Sequence, residues 1–371
     1  MHNVEILRVG DRTSRKQFLE LPYRLYRQYP NWVPPLRVAQ KELFDRDKHP
    51  FYANASAEFL LARRGGRVTG RVAAILDRNH NRFQGEQAAF FGFFECEDHQ
   101  ETANALLGAA RDWAAGQGAR VFRGPVNPST NYECGLLVDG FGSPPVIMMT
   151  YNPPYYERLI EGAGLRKAKD LYAYISSTRA VAAEKVERVA DRVLAAKAVR
   201  VRPIDLKRFG EDVEKVWTVY NAAWARNWGF VPMTREEFLL SAKEMKQILD
   251  PQLVLLGEVG GRVVGFALAL PDFNVALRRA KGRLFPFGLL QILYYGRLIT
   301  NMRVLALGVV EEYRTAGVAA AFYAALIRNG RRRGYDLCEM SWILEDNVLM
   351  NRSLEAMGAR RYKTYRIYEW N

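Results

Sequence analysis

The sequence contains few of the side chains that bind metals or form disulfides. Its 371 residues include three cysteines, which lie far apart, and four histidines, which form no HExxH-type pair. This scarcity argues against both a disulfide framework and a zinc site, and unpaired cysteines are typical of a reducing compartment. We therefore expect a cytoplasmic protein without a metal cofactor.

The first residues, MHNVEILRVGDR, become charged before an apolar run develops, so we expect no N-terminal signal peptide. Acidic residues are outnumbered, with 54 Lys and Arg against 40 Asp and Glu, so the net charge is +14. Such a protein favours anionic partners: nucleic acid, an anionic membrane or a phosphate-bearing small molecule. The charge alone does not choose among them.

The two halves of the chain share one order of predicted elements. Each half contains a hairpin whose turn is a glycine pair, Gly65–Gly66 in the first and Gly260–Gly261 in the second. A further strand, a helix, another strand, a short helix and a last strand follow in each half. Strands and helices around a mixed sheet predict an α/β or α+β fold, and the repeated order predicts an internal duplication.

The predicted boundaries follow from this repeat. We expect a first domain over residues 1–178 and a second over 201–371, with an insert at about 273–302. Residues 179–200 are alanine-rich and charged at helical spacing, and they are interpreted as a helical linker between the two domains.

The second half contains a strand-to-helix junction without bulky side chains, LGVVEEYRTAGVAAAFYAALIRNGRRRGY. A helix N-terminus exposes unpaired N–H groups and a partial positive charge, so it binds phosphate where the backbone can be approached. Gly317 and Ala319 permit that approach, and Arg314 adds a cation. The junction therefore predicts a pyrophosphate site; a tight loop that needs glycine for its conformation is the alternative.

The segment RTAGVA resembles the R-x-x-G-x-G/A signature of the GNAT N-acyltransferase superfamily. The strand VLALGVV before it, and LCEMSWIL, EDN and EAMGARRY after it, agree with that family over about residues 200–371. The resemblance implies tandem GNAT-like domains, each a mixed, mostly antiparallel sheet flanked by helices. It also implies an acyl-CoA co-substrate, either acetyl-CoA or a long-chain acyl-CoA.

The same resemblance implies roles for single residues. The CoA pyrophosphate would be held by Arg314, Thr315, Ala316, Gly317, Val318 and Ala319, and the pantetheine side by Asn347. The backbone N–H of Val309 or Val310 would stabilise the oxyanion of the tetrahedral intermediate. Leu354 stands where many members have a tyrosine that protonates the leaving thiolate, so the usual acid is missing.

A base is expected near the two strands, because an amine attacks a thioester only in its neutral form. Carboxylates follow both strands: Glu311 and Glu312 after the first, Glu345 and Asp346 after the second. Asp346 precedes a helix and suits a cap, so Glu345 is the preferred base.

The corresponding junction of the first half, FFECEDHQETANALL, has no arginine or glycine and several carboxylates, which repel a pyrophosphate. This half resembles a degenerate GNAT copy without CoA. The polar and aromatic loop that follows offers an acceptor pocket, with candidates Asn127, Ser129, Asn131, Tyr132, Glu133, Tyr151 and Asn152. The alternative is a long loop held by its own hydrogen bonds.

The insert FNVALRRAKGRLFPFGLLQILYYGRLITNM combines basic and apolar side chains; its cations are Arg278, Arg279, Lys281, Arg283 and Arg297. Its apolar core spans about a dozen residues and is broken by Pro286 and Gly288, so it is too short to cross a bilayer. The composition is typical of a segment at a membrane interface. A helix that packs on the sheet with its arginines outside is the alternative.

Over its whole length the chain resembles the tandem-GNAT proteins of bacteria, the group that includes bacterial ceramide synthases; NWVPPL, KHPFY, FFGFFEC, YNPPYY and SWILEDN carry this likeness. It implies acyl transfer to a primary amine, such as a sphingoid base, at the inner face of a membrane. A tandem-GNAT aminoacyltransferase of the cell-wall type and a nucleic-acid-binding protein with a relic fold remain alternatives, and nucleic acid is the less expected partner. No feature of the sequence indicates the oligomeric state.

Overall fold

The computed structural model describes residues 3–179 and 199–370. The described strands are β1 (Val4–Arg8), β2 (Ala55–Arg64), β3 (Arg67–Asp77), β4 (Ala88–Cys96), β5 (Val121–Gly124), β6 (Val126–Asn127), β7 (Glu133–Cys134), β8 (Leu136–Asp139), β9 (Arg166–Ser177), β10 (Arg200–Pro203), β11 (Val254–Val259), β12 (Arg262–Pro271), β13 (Asn301–Val309), β14 (Leu337–Leu344) and β15 (Arg360–Trp370). The predicted linker at 179–200 lies, apart from its ends, outside the described residues.

The described α-helices are α1 (Arg12–Leu25), α2 (Arg37–Leu43), α3 (Arg78–Gln84), α4 (Gln100–Gly116), α5 (Tyr156–Gly162), α6 (Phe209–Ala223), α7 (Arg235–Met245), α8 (Asn274–Ala280), α9 (Gly288–Gly296), α10 (Val318–Arg333) and α11 (Val348–Ala356). Short 3-10 helices occur at Tyr26–Gln28, Pro50–Ala53, Leu206–Arg208, Pro251–Leu253 and Glu311–Ala316. No helix in this part of the chain has the length and apolar content needed to cross a membrane.

The chain forms two compact units. Unit 1 comprises Met1–Leu171, Ala276–Leu293 and Lys363–Asn371, and unit 2 comprises Tyr172–Val275 and Tyr294–Tyr362. Each unit has a mostly antiparallel sheet with helices, so the predicted fold class is confirmed.

Unit 1 contains the strand order β1-β2-β3-β4-β5-β15, in which the pair β4–β5 is parallel and the other neighbours are antiparallel. Helix α4 packs on this sheet because its apolar residues recur at helical spacing: Ala103, Leu106, Leu107, Ala110 and Ala114 are all buried. They join one core with strand residues such as Phe91 and Phe122.

Unit 2 contains the order β14-β13-β12-β11-β10, again with one parallel pair, β13–β14, among antiparallel neighbours. Helix α10 packs through Val318 and Phe322 against one side of the sheet, in a core that includes Leu255. Helix α6 packs through Val216 against a second core that includes Phe266. Units 1 and 2 therefore repeat one arrangement: a glycine-turned hairpin, a third strand, and a helix leading to a parallel partner strand.

Most of the insert belongs to unit 1, and not to the unit that contains most of residues 201–371. Residues 276–293 belong to unit 1, although 201–371 was the expected second domain. The Arg278 guanidinium donates to the Pro30 carbonyl at 2.7 Å, and the Arg37 backbone N–H donates to the Gly282 carbonyl at 3.1 Å. Contacts between distant parts of the sequence decide this assignment. For the same reason Lys363–Asn371 belongs to unit 1, since Tyr368 pairs with Gly124.

Candidate active site

A notch opens between the two parallel strands of unit 2. Strands β13 and β14 pair from Asn301 and Leu337 as far as Val304 and Met340. Beyond that point β13 continues to Val309 and β14 to Leu344, outside the paired register. The β12–β13 register shifts at the same level and leaves Leu305 as an extra residue. A bulge bends its strand, so β13 diverges from β14 there.

One of the two predicted oxyanion donors has an N–H directed into this notch. The Val310 N–H donates to the Val264 carbonyl at 2.9 Å, so this group is engaged within the sheet. In an antiparallel pair, adjacent residues alternate between facing their partner strand and facing away from it. Val309, which pairs with Gly265, therefore directs its N–H away from β12 and toward the notch.

The N-terminus of α10 lies beyond the end of β13 in the chain. Gly317 is its N-cap, with a left-handed φ of 74°, and no side chain caps the helix. The Arg314 guanidinium donates to the Ala223 carbonyl at 2.6 Å and to the Val309 carbonyl at 3.4 Å, which fixes this cation beside the end of β13. The predicted anion-binding features are thus grouped; the side chains of Thr315 and Ala316 lie outside the description.

The segment after β14 is held by amide side chains. Asn347 Oδ1 accepts from the Met350 N–H at 3.2 Å, so Asn347, and not the expected Asp346, caps α11. Asn351 Nδ2 donates to the carbonyls of Leu344 and Glu345 at 3.1 and 3.3 Å. These bonds position Glu345, which is half-buried at the end of β14. The roles of Glu345 in catalysis and of Asn347 in CoA binding stay predictions.

Leu354 lies where the family resemblance places a tyrosine. It is 1% exposed and packs in a cluster with Tyr174 and Ala359. The buried alkyl group has no proton to give, which accords with the departure seen in the sequence.

A buried polar network lies just below the notch and was missed by the sequence analysis. Arg303 and Glu339 face each other in the parallel register, and both are 2% exposed. Arg303 Nε donates to Ser341 Oγ at 2.9 Å, while the Ser341 and Tyr362 hydroxyls donate to the Glu339 carboxylate. The sequence did contain a signal for this network, because Arg303 and Glu339 are charged residues within two otherwise apolar strands. The network ties the last paired part of β13 and β14 together.

Unit 1 has the same topology, but its own backbone and side-chain groups occupy the space between β4 and β5 that corresponds to the notch of unit 2. Gly92 and Gly124, on the parallel strands β4 and β5, approach neighbouring backbone closely: a Cβ on Gly92 would lie 1.7 Å from the Val126 carbonyl oxygen. Asn127 Oδ1 accepts from the Phe93 N–H at 2.6 Å. The notch is therefore closed.

Helix α4 also differs from α10 at its start. The His99 side chain caps it by accepting from the Thr102 N–H at 3.3 Å. Acidic residues nearby are paired with arginines: Asp98 with Arg158, and Glu97 with Arg67 at 2.9 Å. A capped terminus flanked by carboxylates does not favour an anion.

Two of the predicted acceptor-binding residues use their side chains in hydrogen bonds with backbone groups. Asn127 accepts from Phe93, and Asn152, which is buried, accepts from the Leu137 N–H at 2.7 Å and donates to its carbonyl at 3.1 Å. These bonds give both amides a structural role in holding the backbone, as the alternative reading of the loop expects. Acceptor binding by the remaining candidates stays a prediction: Asn131, Glu133 and Tyr151, with Ser129 and Tyr132.

The described residues were compared with the requirements of a metal site, which needs several ligands close together. Among the described residues, no group of three or more His, Cys, Asp or Glu side chains could hold a metal ion. The grouped elements of unit 2 are instead a strand notch, a backbone donor and a helix N-terminus.

Two solved structures that superpose on this chain are GNAT proteins. A tandem GNAT protein from the clavulanic acid biosynthesis pathway superposes with a TM-score of 0.55 and 14% identity, over 99% of this chain and 98% of that one. A GCN5-related N-acetyltransferase from Anabaena variabilis ATCC 29413 gives 0.51 and 11%, over 99% of this chain and 72% of that one. The fold is therefore that of a tandem GNAT protein.

Two curated proteins match along nearly their whole lengths. Bacterial ceramide synthase of Caulobacter vibrioides (strain NA1000 / CB15N) is 33% identical over 374 residues, 99% of this chain and 97% of the relative. Protein YghO of Escherichia coli (strain K12) is 34% identical over 366 residues, 97% of this chain and 93% of the relative. No family model matches. The chain belongs to the same family as these two proteins, and its fold is the GNAT fold.

Proposed function

We propose that the protein is an acyl-CoA-dependent N-acyltransferase whose acceptor is a primary amine carried by a lipid, such as a sphingoid base. The observation that carries this proposal is the combination, in unit 2, of an open strand notch with an uncapped helix N-terminus. Unit 1 repeats the topology with its notch closed and its helix capped. One unit is thus equipped for CoA.

The residues at the junction fit a CoA thioester. The pyrophosphate would meet the N-terminus of α10 at Gly317 and Ala319, which are partly exposed, whereas Val318 is buried; Arg314 would add its charge. The pantetheine would then enter the notch between β13 and β14, with Asn347 on one side. The Val309 N–H, directed into the notch, would face the thioester carbonyl.

The reaction joins the acceptor nitrogen to the acyl carbon and breaks the carbon–sulfur bond. Glu345 would accept the proton that the amine loses, because it is held at the end of β14 by Asn351. The Val309 N–H would stabilise the negative oxygen of the intermediate. The thiolate of CoA then leaves, and its proton comes from a group other than the buried Leu354.

The insert supports a lipidic acceptor. Five large side chains of residues 276–293 are exposed, at 78% for Phe285, 67% for Phe287 and 63% for Leu290, with Leu289 and Leu293 beside them in sequence. We call these five residues the apolar face of the insert. A concentration of exposed apolar side chains marks an interaction surface.

The charges near the apolar face favour an anionic lipid surface as its partner. Residues 276–293 contain four exposed cations and no Asp or Glu; the cations are Arg278, Arg279, Lys281 and Arg283. Apolar side chains with flanking cations are suited to the interface of an anionic membrane. The name of the Caulobacter relative, bacterial ceramide synthase, agrees with a lipidic acceptor.

Thermal unfolding with ligands tests the proposal directly. CoA and palmitoyl-CoA should raise the midpoint, since a ligand present at 100 times its Kd adds about 2.7 kcal/mol of stability. With palmitoyl-CoA, mass spectrometry should then detect acylation of a sphingoid base in preference to a short water-soluble amine. Stabilisation by aminoacyl-tRNA and not by CoA would support the aminoacyltransferase alternative instead.

A further inference from the structure

Trp224 lies against the last part of β13, on the side of the sheet that α6 covers. Gly308 and Phe266 face each other in the β12–β13 register, and the Trp224 ring packs on Phe266 with ring centroids 5.6 Å apart. A Cβ added to Gly308 would overlap the Trp224 ring and would lie 3.0 Å from the Ala223 Cβ. The indole therefore occupies the space that a side chain on Gly308 would fill.

The position of Trp224 is fixed from the helix and from the strand. Trp224 is the C-cap of α6, and its ring centroid lies 5.1 Å from that of Tyr220, one turn earlier. The Arg314 guanidinium donates to the Ala223 carbonyl at 2.6 Å and to the Val309 carbonyl at 3.4 Å, so it joins the end of α6 to the end of β13. The ring is thus held next to the segment whose Val309 N–H is directed into the notch.

Part of the Trp224 side chain remains available to a ligand. The residue is half-buried, and its indole N–H has no hydrogen-bond partner within residues 3–179 and 199–370. Trp217, two turns earlier on the same helix, differs because its indole N–H donates to the Met233 carbonyl at 2.9 Å. Trp224 therefore offers an apolar ring surface with a polar group at its edge.

The corresponding place in unit 1 is filled by polar groups. Tyr26 is the C-cap of α1 as Trp224 is the C-cap of α6. The fifth residue of β3, Arg71, pairs with Glu95, whereas the fifth residue of β12 pairs with a glycine. Arg71 is 4% exposed, the Tyr156 hydroxyl donates to the Glu95 carboxylate at 2.8 Å, and burial raises the pKa of Glu95. Unit 1 thus has a closed ion pair where unit 2 has an aromatic surface.

We propose that the Trp224 ring binds the hydrocarbon next to the acceptor nitrogen, so that Trp224 determines the preference for an amine with an alkyl chain over a small polar amine. The inference rests on the proposed function, in which the thioester enters the notch from the N-terminus of α10. The amine would then approach from the side of α6, and its chain would lie across the ring. Each methylene that the ring removes from water strengthens binding, whereas a small polar amine gains nothing from this contact.

Replacing the ring tests the inference. Trp224→Leu should lower kcat/KM for dodecylamine by about tenfold, because the smaller side chain covers fewer methylenes. The kcat/KM for ethanolamine and the Kd for CoA should stay within about twofold of wild type. Trp224→Phe retains an aromatic ring and should keep most of the preference for dodecylamine. Assays without vesicles and below the micelle concentration exclude an effect of the insert.

The matched control is Trp217→Leu, the loss of a second half-buried tryptophan of α6. This variant loses the bond to Met233 and some stability, but its preference between dodecylamine and ethanolamine should equal that of wild type. An equal loss of preference in Trp217→Leu and Trp224→Leu would show a general effect of disturbing α6 and would overturn the assignment to Trp224.

A second measurement does not depend on the folding of Trp224→Leu. Fluorine NMR of the protein with 5-fluorotryptophan at its seven tryptophans gives one signal for each, and Trp224→Phe assigns the signal of Trp224. With CoA present and no acyl group to transfer, dodecylamine should shift this signal and ethanolamine should not. An unchanged signal at concentrations that saturate turnover overturns the inference, as does a folded Trp224→Leu protein with the wild-type amine preference. If the wild-type protein acylates neither amine, the proposed function fails as well, which separates that result from failure of the Trp224 contact alone.

Discussion

The backbone N–H of Cys96 donates to the hydroxyl oxygen of Tyr156 at 2.9 Å. Cys96 pairs with Gly70 in unit 1 as Val309 pairs with Gly265 in unit 2, and both glycines are the fourth residue of their strands. The donor that corresponds to Val309 is therefore occupied by a tyrosine of the same unit. From this bond and the closed notch we predict that unit 1 does not bind a thioester.

We predict that each chain binds one CoA, and that Gly317→Glu abolishes this binding. A carboxylate at the start of α10 would occupy the place of the pyrophosphate and repel it. The variant Gly334→Glu is the matched control, because Gly334 has a similar left-handed φ, 83° against 74°, at the other end of the same helix. Both variants should lose some stability, but Gly334→Glu should bind CoA normally in a calorimetric titration. A second CoA per chain, or normal binding by Gly317→Glu, would contradict the assignment to unit 2.

Glu345→Gln should lower kcat at neutral pH by about 100-fold, in the range usual for loss of a general base. The Kd for CoA should stay unchanged, since the amide keeps the size of the side chain and the pyrophosphate site is elsewhere. Asp346→Asn is the control, because Asp346 is the exposed neighbour and does not cap α11. Equal kcat values for wild type and Glu345→Gln would remove Glu345 as the base.

Replacing Phe285, Phe287 and Leu290 by serine should weaken sedimentation with anionic vesicles and slow acylation of a long-chain amine. A short water-soluble amine should react at nearly the wild-type rate, because the change affects access to a membrane and not the notch. Phe83→Ser, at a 42% exposed phenylalanine of unit 1 outside the insert, is the control for loss of an exposed aromatic. If the triple variant unfolds, the segment is core; if it treats both amines alike, the lipidic acceptor is wrong.

Asn127→Ala tests whether this side chain binds the acceptor or supports the loop. The structure predicts a loss of about 1–3 kcal/mol in the free energy of unfolding, because the Phe93 N–H loses its acceptor. The KM for the amine should stay within about twofold, a change smaller than that expected for one hydrogen bond to substrate. A stable variant with a strongly raised amine KM would instead support the role predicted from the sequence.

The ion pair between Arg202 and Asp212 predicts a pH dependence of stability. Burial alone would raise the pKa of Asp212, but two Arg202 bonds of 2.7 Å and the Asp205 N–H lower it on balance. A carboxylate with a lowered pKa stabilises the fold above its unfolded value, near 3.9, and loses that contribution as the pH falls through the folded value. Asp212→Asn should cost about 1.5–3 kcal/mol at pH 7, because Arg202 loses its two bonds to this carboxylate while it keeps its ion pair with Glu258 at 2.8 Å. Denaturant unfolding should show this difference shrinking below about pH 4; a difference independent of pH would contradict the argument.

The local elements could be predicted from the sequence by itself. Strands β4 and β14 coincide with the apolar runs AAFFGFFEC and LCEMSWIL, and the two glycine-glycine turns lie where their hairpins require a left-handed backbone. These features depend on side-chain periodicity and turn chemistry within a few residues. The short signature around Gly317 likewise depends on one strand, one turn and one helix that are adjacent in the chain. Helix α1, by contrast, has no counterpart among the predicted elements.

Contacts between distant residues decided what the sequence left open. Tyr368 belongs to unit 1 because it pairs with Gly124, and the insert joins that unit through hydrogen bonds to Pro30 and Arg37. The Arg303–Glu339 network and the closed notch at Asn127 arise in the same way. Each depends on which strands lie side by side and where their pairing ends. Periodicity along one segment records which face of that segment is apolar, but not which distant segment will cover it, and that choice is made by tertiary packing.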